Sequence, residues 1–140
     1  MYIELVKYPD VFLRSVSNDV PFPLDDKTSR LIKFMAKAMY QNHGIGLAAI
    51  QVGYQLRMFV MDCSRSQSGY KAYINPKIVE KSDETLRDSE GCLSAPGKQG
   101  DVRRHIRIIL NYKDEEGEEH TKTFYNLEAR CIQHEMDHLD

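Results

Sequence analysis

The decisive stretch of this sequence is Gln133-His134-Glu135-Met136-Asp137-His138, which contains the pattern His-Glu-x-x-His within a run of helical periodicity. Residues four apart on a helix lie one above the other, about 6 Å along the axis, so both imidazoles can reach one metal ion. The glutamate lies on an adjacent part of the helix surface, where it can act on water at the metal. The stretch therefore predicts a metal centre on a C-terminal helix.

The third protein ligand of this centre has to come from an upstream part of the chain. Catalytic metal sites usually have three protein ligands and one open position, and only Leu139 and Asp140 follow the motif. Cys131 lies seven residues, roughly 10.5 Å, from His138 and is interpreted as a buried small hydrophobe. Cys92 is the favoured candidate, in what its glycine and proline neighbours predict to be an exposed loop. One thiolate and two imidazoles with an open fourth position suit Zn(II) or Fe(II).

The other cysteine and the other histidines receive no role in the site. Cys63 follows a predicted strand and is interpreted as structural or incidental. Three histidines near predicted turns or strand edges are interpreted as surface residues: His43, His105 and His120. Three cysteines at irregular spacing argue against a disulfide framework and fit a reducing, cytosolic setting.

A segment with spaced glycines, residues 44–53, is a further candidate for the site. Its small residues would let a backbone approach a substrate or the metal helix closely. Gln51 in this segment is a neutral amide that can donate a hydrogen bond to a developing oxyanion. A core turn with an exposed glutamine is the alternative, and the segment alone does not decide between the two.

The rest of the chain predicts an α+β fold. An amphipathic helix is expected from Asp25 to about Asn42, with Asp25 or Asp26 as its N-cap and Gly44 as a left-handed stop. Strands are expected over residues 56–61, 71–74, 77–81, 102–112 and 119–125, before a second helix that begins near Asn126. Strands between two helices favour small antiparallel sheets packed around the metal-binding helix over a parallel doubly wound sheet.

Length and composition limit the class of protein further. The chain has 140 residues and 16.2 kDa, which suffices for one domain, expected to span residues 1–140. Its 19 basic and 21 acidic residues give a net charge of -2, which disfavours a nucleic-acid binder driven by bulk charge. The sequence shows no apolar run long enough to span a bilayer and no secretory signal. We therefore expect a cytoplasmic protein with neither a nucleic-acid nor a membrane partner.

Three segments, taken in order, resemble the signature motifs of the peptide deformylase family. They are residues 44–51 (GIGLAAIQ), residues 90–94 (EGCLS) and residues 133–138 (QHEMDH). The resemblance covers essentially the whole chain, and three ordered motifs are far more specific than any one of them. It implies a hydrolase of N-terminal protein processing, which removes the N-formyl group from the formylmethionine at the start of newly synthesised polypeptides.

The resemblance also implies a metal centre and a catalytic residue. Cys92, His134 and His138 would hold one divalent ion, natively Fe(II), with Zn(II), Ni(II) or Co(II) as substitutes. Water activated by that ion would attack the formyl carbon of the N-formylmethionyl polypeptide. Glu135 would act as general base and then as the acid that protonates the leaving amine.

Further residues would bind the oxyanion and the substrate, again by resemblance. Gln51 and the backbone N–H of Leu93 would stabilise the tetrahedral oxyanion. The substrate strand and its methionine side chain would contact Gly44, Ile45, Gly46, Gly91, Leu127 and Cys131. Glu90 is expected to pair with Arg104 and so to fix the loop that carries Cys92.

Two features depart from the family pattern. Arg130 lies beside the expected pocket, where an apolar residue is expected, and would extend outward or alter the preference for the second substrate residue. The chain stops two residues after His138, so the resemblance is to a short form, bacterial or phage-encoded, whose ribosome association is left open. The final carbonyls of the helix would lack partners, and we expect its end to fray.

Two other functions remain open from the sequence. The same helix would serve a general metallopeptidase, which cleaves internal peptide bonds and releases no formate. The second alternative is a structural metal site in a non-enzymatic binding module. Such a site would need four protein ligands, and Glu135 would have no functional role in it.

Overall fold

The computed structural model describes residue 5 and residues 17–64, 69–92 and 95–140, with only the backbone of residues 92 and 95–99. Its helices are α1 (Asp26–Gln41) and α2 (Asn126–Leu139). Its strands are β1 (Gly46–Ala48), β2 (Met58–Met61), β3 (Lys71–Lys81), β4 (Thr85–Cys92), β5 (Ala95–His105), β6 (Arg107–Lys113) and β7 (Glu119–Tyr125). A short 3₁₀ helix, Ala49–Val52, follows β1 directly. The named strands pair antiparallel throughout, which confirms the α+β fold class.

The strands form a five-stranded sheet in the order β1-β2-β3-β6-β7 and a separate β4-β5 pair. The prediction of one strand over residues 102–112 is wrong, because a bend at Ile106 divides it between the two sheets. The two strands predicted over residues 71–74 and 77–81 are instead the single strand β3. Pro76 cannot donate a ladder hydrogen bond, and the register shifts there between Ile74 and Lys77 without ending the strand.

Helix α1 begins and ends through local backbone chemistry. The Asp25 side chain accepts a hydrogen bond from the backbone N–H of Thr28 at 2.7 Å, so Asp25 is the N-cap. At the other end, the residue in the left-handed region is His43, with φ 58°, and the prediction of Gly44 as that stop is wrong by one residue. The turn at His43 lets the N–H of Gly44 donate to the carbonyl of Met39 at 2.9 Å.

The five-stranded sheet lies between the two helices. Every residue of β2 is buried: Met58 and Val60 pack in the cluster that contains α1, whereas Phe59 and Met61 pack in the cluster that contains α2. Successive side chains of a strand point to opposite faces, so a strand covered on both sides is apolar throughout. This layer order fixes the position of α2 against the sheet.

The end of α2 is held in place rather than frayed. Leu139 is fully buried, and its carbonyl accepts a hydrogen bond from the N–H of Ser17 at 3.1 Å. Arg57 forms an ion pair with Asp140 at 2.7 Å. The expectation of a fraying end is therefore wrong for Leu139 and Asp140, because Ser17 and Arg57, which are distant in sequence, bind the Leu139 carbonyl and the Asp140 side chain. Within the described residues, neither helix has both the length and the apolar character that crossing a bilayer requires.

Candidate active site

Helix α2 presents the predicted imidazoles side by side. The ring centroids of His134 and His138 are 5.2 Å apart, with an interplanar angle of 66°. Both residues are half-buried, and Glu135 between them is only 3% exposed. The structure thus brings the two rings onto one face of the helix, where their nitrogens can bind one cation.

The carboxylate of Glu90, on β4, connects one of these imidazoles to two guanidinium groups. Its Oε1 lies 3.0 Å from Nδ1 of His134 and 3.0 Å from Nη2 of Arg104. Its Oε2 accepts hydrogen bonds from Nε of Arg104 at 3.1 Å and from Nη1 of Arg130 at 2.6 Å. The expected Glu90–Arg104 pair is confirmed. The contacts with His134 and Arg130 join residues more than 35 positions apart, and sequence reasoning missed them.

These contacts fix the charge of Glu90 and the proton position on His134. Burial opposes the charge of the Glu90 carboxyl, but hydrogen bonds from Arg104, His134 and Arg130 outweigh it and lower its pKa to about 2. An ionised carboxylate only accepts hydrogen bonds, so Nδ1 of His134 donates to it. Nε2 of His134 then keeps its lone pair for a metal ion.

Arg130 does not extend into solvent, contrary to one of the two expectations for it. Its side chain is 11% exposed and forms an ion pair with Glu90. Nη1 also donates to the carbonyl of Val102 at 2.9 Å, and Nη2 donates to the carbonyl of Leu86. A buried arginine is tolerated here because its contacts are acceptors on β4 and β5.

Gln133 is a second contact between α2 and β5 that the sequence did not signal. Its Nε2 donates to the carbonyl of His105 at 2.8 Å, and its Oε1 accepts from the N–H of His105 at 2.9 Å. His105 and His120 are only partly exposed, and each ring has a hydrogen-bond partner. The prediction of a surface position holds for His43, which is exposed.

Gly46 packs against both the buried carboxylate of Glu135 and the thiol of Cys131. A Cβ atom placed on Gly46 would lie 2.6 Å from Oε2 of Glu135 and 2.7 Å from Sγ of Cys131. The Cys131 thiol in turn lies 3.9 Å from the carbonyl oxygen of Ile45. A hydrogen bond with the Cys63 thiol, together with burial, raises the pKa of Cys131. Cys131 is therefore a neutral, buried thiol beside the site, as expected.

Gln51 is buried, so the alternative of a core turn with an exposed glutamine is wrong. It lies in the 3₁₀ helix after β1 and is 1% exposed. The backbone N–H of Ala48 donates to its Oε1 at 2.9 Å, which fixes the amide and leaves Nε2 as the donor group.

The segment that carries Cys92 is not an open loop. β4 and β5 pair from Thr85 with His105 up to Cys92 with Ala95, with a register shift between Gly91 and Cys92. The Gly and Pro residues predicted an exposed loop here, but pairing of β4 with β5 keeps the backbone of the described residues extended. The side chain of Cys92 and the whole of Leu93 lie outside the described residues.

The remaining predicted substrate contacts lie at the surface around this site. Ile45 is 40% exposed and Leu127 is 51% exposed, so both present large apolar side chains to solvent. Gly91 is exposed on β4, and Gly44 is half-buried between α1 and β1. Exposed apolar side chains of this kind are suited to contact an apolar substrate.

Another group of potential ligands in the described chain lies at the far end of the β6–β7 hairpin. Ligand atoms of Asp114, Glu118 and His120 lie within 4.8 Å of one another. Asp114 accepts hydrogen bonds there from the backbone N–H groups of Glu116 and Glu118. The group therefore closes the hairpin turn, at the opposite end of β6 and β7 from α2.

A helix that presents two imidazoles and a buried carboxylate beside an antiparallel sheet defines the class of metal-dependent hydrolases with a His-Glu-x-x-His motif. The family model for polypeptide deformylase matches residues 2–140. The peptide deformylase of Finegoldia magna is 41% identical over 131 residues, which cover 94% of this chain and 80% of that protein.

Solved structures agree with this match. The crystal structure of peptide deformylase from Thermotoga maritima has a TM-score of 0.92 and 37% identity, covering 99% of this chain and 92% of that one. A probable peptide deformylase from synechococcus phage S-SSM7 has a TM-score of 0.91 and 37% identity, covering 98% and 93%. The chain therefore belongs to the polypeptide deformylase family. It is a metal-dependent enzyme that removes the formyl group from the N-terminal methionine of newly synthesised polypeptides.

Proposed function

We propose that Cys92, His134 and His138 hold the divalent ion of this deformylase, with Fe(II) as the native metal and Zn(II), Ni(II) or Co(II) as substitutes. The neighbouring rings of the two histidines support this set. The hydrogen bond from Nδ1 of His134 to Glu90 supports Nε2 as the coordinating nitrogen. Cys92 is supported by its backbone position, two residues after Glu90 on β4, and by the suitability of a thiolate for iron or zinc.

Glu135 is the proton-transfer residue in this proposal. A bound divalent ion supplies a Lewis acid that polarises the formyl carbonyl and lowers the pKa of a water molecule. The carboxylate of Glu135 accepts the proton of the attacking water and later delivers it to the leaving amine nitrogen. Its burial beside Gly46, on the helix that carries both imidazoles, supports this role, because packing restricts the positions that the carboxylate can take.

The oxyanion is stabilised by two donors, Nε2 of Gln51 and the backbone N–H of Leu93. The hydrogen bond from Ala48 to Oε1 of Gln51 supports the first donor, because it holds the amide before the reaction begins. Donors that are already oriented need no reorganisation as the charge develops, which is the source of their catalytic effect.

The substrate is bound as an extended strand along the open edge of β1. Among the described strands, β1 pairs only with β2, so Gly46 has backbone groups on its other side for a peptide. The methionine side chain of the substrate contacts Ile45, Leu127 and Cys131. Gly44 and Gly91 lie at the edge of this proposed binding pocket. A narrow site beside Gly46 favours the small formyl group over bulkier acyl groups.

The wider setting follows from the substrate. Residues 1–140 form one catalytic domain, an assignment supported by the family match over residues 2–140. A substrate that is a newly made polypeptide supports a location in the bacterial cytoplasm. The net charge of -2 supports the absence of nucleic-acid binding. Co-sedimentation with ribosomes tests whether the enzyme associates with them.

Release of formate from an N-formyl-methionyl peptide tests the proposal. The observation that carries it is the group of His134, His138 and buried Glu135 on one helix. Enzyme loaded anaerobically with Fe(II), Zn(II) or Co(II) is expected to release one formate per methionyl peptide, fastest with Fe(II). Cys92→Ala is expected to lose bound metal, whereas the matched control Cys63→Ala retains it. Cleavage of internal bonds in unformylated peptides, without formate, contradicts the deformylase assignment and favours a general peptidase.

A further inference from the structure

Arg130 and His134 are one turn apart on α2 and contact the same carboxylate. Nη1 of Arg130 donates to Oε2 of Glu90 at 2.6 Å, while Nδ1 of His134 lies 3.0 Å from Oε1. Residues at positions i and i+4 lie on one face of a helix, so both side chains reach β4 from the same side. The helix thus carries both an imidazole and the guanidinium that holds the partner of that imidazole.

The two arginines at Glu90 make different contacts. Arg104 donates to both oxygens of the Glu90 carboxylate. It also donates, at 2.5 Å, to the exposed carboxylate of Asp137 on α2. Arg130 donates to Oε2 of Glu90 alone and to backbone carbonyls of Leu86 and Val102. The bidentate contact of Arg104 sets the plane of the Glu90 carboxylate. Arg130, itself bound to two backbone carbonyls, adds a further hydrogen bond to Oε2, and the two arginines together direct Oε1 at His134.

We propose that Arg130 is a positioning residue for the metal site: through Glu90 it fixes the ring orientation of His134. This inference rests on the proposed role of His134 as a metal ligand. Groups that hold a metal-binding histidine through its second nitrogen commonly change metal affinity by about 10- to 100-fold when removed. Arg130 acts one step further out, and its effect passes through Glu90.

The geometry also explains why an arginine serves here better than a lysine. The planar guanidinium donates from Nη1 to a carboxylate and a carbonyl and from Nη2 to a second carbonyl. A lysine ammonium is a compact point charge and cannot span these acceptors in a fixed orientation. The buried Glu90 carboxylate and the exposed Asp137 carboxylate together balance the charges of Arg104 and Arg130.

Metal affinity and the spectrum of the Co(II) enzyme test this proposal without relying on turnover. Arg130→Met is expected to lower Zn(II) affinity by up to about 10-fold, at the low end of the range for direct partners of a metal-binding histidine, because Arg104 still holds Glu90. It is also expected to change the Co(II) d–d bands and to lower kcat with little change in KM. Arg130→Lys is expected to restore little of this loss. The matched control is Arg103→Met, since Arg103 is an exposed arginine on β5 that contacts only Thr85 among the hydrogen bonds of the described residues. It is expected to behave as the unmodified enzyme.

A double-mutant cycle with Glu90→Gln separates positioning from simple structural support. If Arg130 acts through Glu90, adding Arg130→Met to Glu90→Gln changes metal affinity less than twofold. Full additivity, or an Arg130→Met enzyme with unaltered affinity and spectrum, overturns the proposal. If Arg130→Met does not fold, Arg130→Lys carries the same expectations. His134→Ala distinguishes a failure of the ligand assignment from a failure of the positioning role. Unchanged metal binding in His134→Ala contradicts the assignment of His134 as a metal ligand. Loss of metal in His134→Ala, with unchanged metal affinity in Arg130→Met, contradicts only the positioning role of Arg130.

Discussion

Gly46 leaves the space that the carboxylate of Glu135 occupies: a Cβ atom at position 46 would lie 2.6 Å from Oε2 of Glu135. Such a distance is far shorter than any ordinary contact, so a side chain and the carboxylate cannot both keep their positions. Because β1 lies at a sheet edge and α2 packs against it, this contact couples the proposed substrate-binding strand to the proposed proton-transfer group.

Gly46→Ala is expected to reduce deformylation strongly. The added methyl group has to displace Glu135 or the Cys131 thiol, and a displacement of about 1 Å at a catalytic group costs on the order of 100-fold in rate. Steady-state kinetics with an N-formyl-methionyl peptide measure the loss in kcat. Gly100→Ala is the matched control, because nothing lies within 4 Å of the added atom there. Equal activity of the two variants contradicts the coupling.

Glu135→Gln is expected to lower kcat by about 100- to 10,000-fold while the protein keeps its metal. The amide retains the shape of the carboxylate but cannot accept and return a proton at neutral pH. Metal content and formate release are measured on the same sample. Glu128→Gln, on an exposed position in the first turn of α2, serves as the control and is expected to be fully active. Retained turnover in Glu135→Gln would refute the proton-transfer role.

The hydrogen bond between Tyr40 and Asp62 is expected to make stability depend on pH. Burial opposes the charge of Asp62, but hydrogen bonds from Ser64, Tyr40 and Gly69 outweigh it and lower its pKa from 3.8 to about 2. A lowered carboxyl pKa adds stability that is present above the unfolded pKa and is lost as the pH falls from about 4 to 2. The shift corresponds to about 2 kcal/mol in the free energy of unfolding.

Tyr40→Phe tests this pH dependence. Tyr40 donates to Asp62 at 2.5 Å, and burial followed by this hydrogen bond raises the pKa of Tyr40 to about 12, so the phenol stays protonated up to alkaline pH. Urea unfolding at pH 7 is expected to show a loss of about 1–2 kcal/mol, which shrinks as the pH falls to 2. Tyr54→Phe, at an exposed position, is expected to show no such trend. An equal loss at pH 7 and pH 2 would exclude the Asp62 carboxylate as the cause.

Gln133→Leu is expected to destabilise the contact between α2 and β5. The substitution removes the side-chain partners of the N–H and carbonyl of half-buried His105, and losing such partners costs about 1–3 kcal/mol in total, since water can reach these groups in part. Urea unfolding measures the change in the free energy of unfolding. Gln41→Leu, at the exposed end of α1, is the control. Stability within about 0.5 kcal/mol of the unmodified protein would mean that this contact does not hold the helix.

Local chemistry explains why the sequence predicted some features. The Asp25 cap of α1 depends on the residues that follow it at once, and the histidines of α2 need only helical spacing. Each of these features depends on residues within about one helical turn of one another, so the amino-acid sequence alone is enough to predict it. The left-handed stop of α1 was misplaced by one residue because a histidine adopted a conformation that usually favours glycine.

Long-range pairing explains what the sequence could not show. The contact of Glu90 with Arg130 and His134 joins β4 to α2 across 40 and 44 residues, and no periodicity encodes it. The segment around Cys92 has the composition of a loop, yet β4 and β5 keep it extended by pairing with each other. The expectation that Arg130 extends outward is wrong for the same reason, since its acceptors are a carboxylate 40 residues away and backbone carbonyls that any sequence would supply. The expected effect on the preference for the second substrate residue stays a prediction.

A crystal structure of the metal-loaded enzyme, with anomalous data collected at the metal edge, tests the central claim most directly. The account predicts one metal peak about 2.3 Å from Sγ of Cys92 and about 2.0–2.1 Å from Nε2 of His134 and of His138. It also predicts the Glu90 carboxylate at Nδ1 of His134. A peak elsewhere, or one that lacks the Cys92 sulfur, would contradict the account.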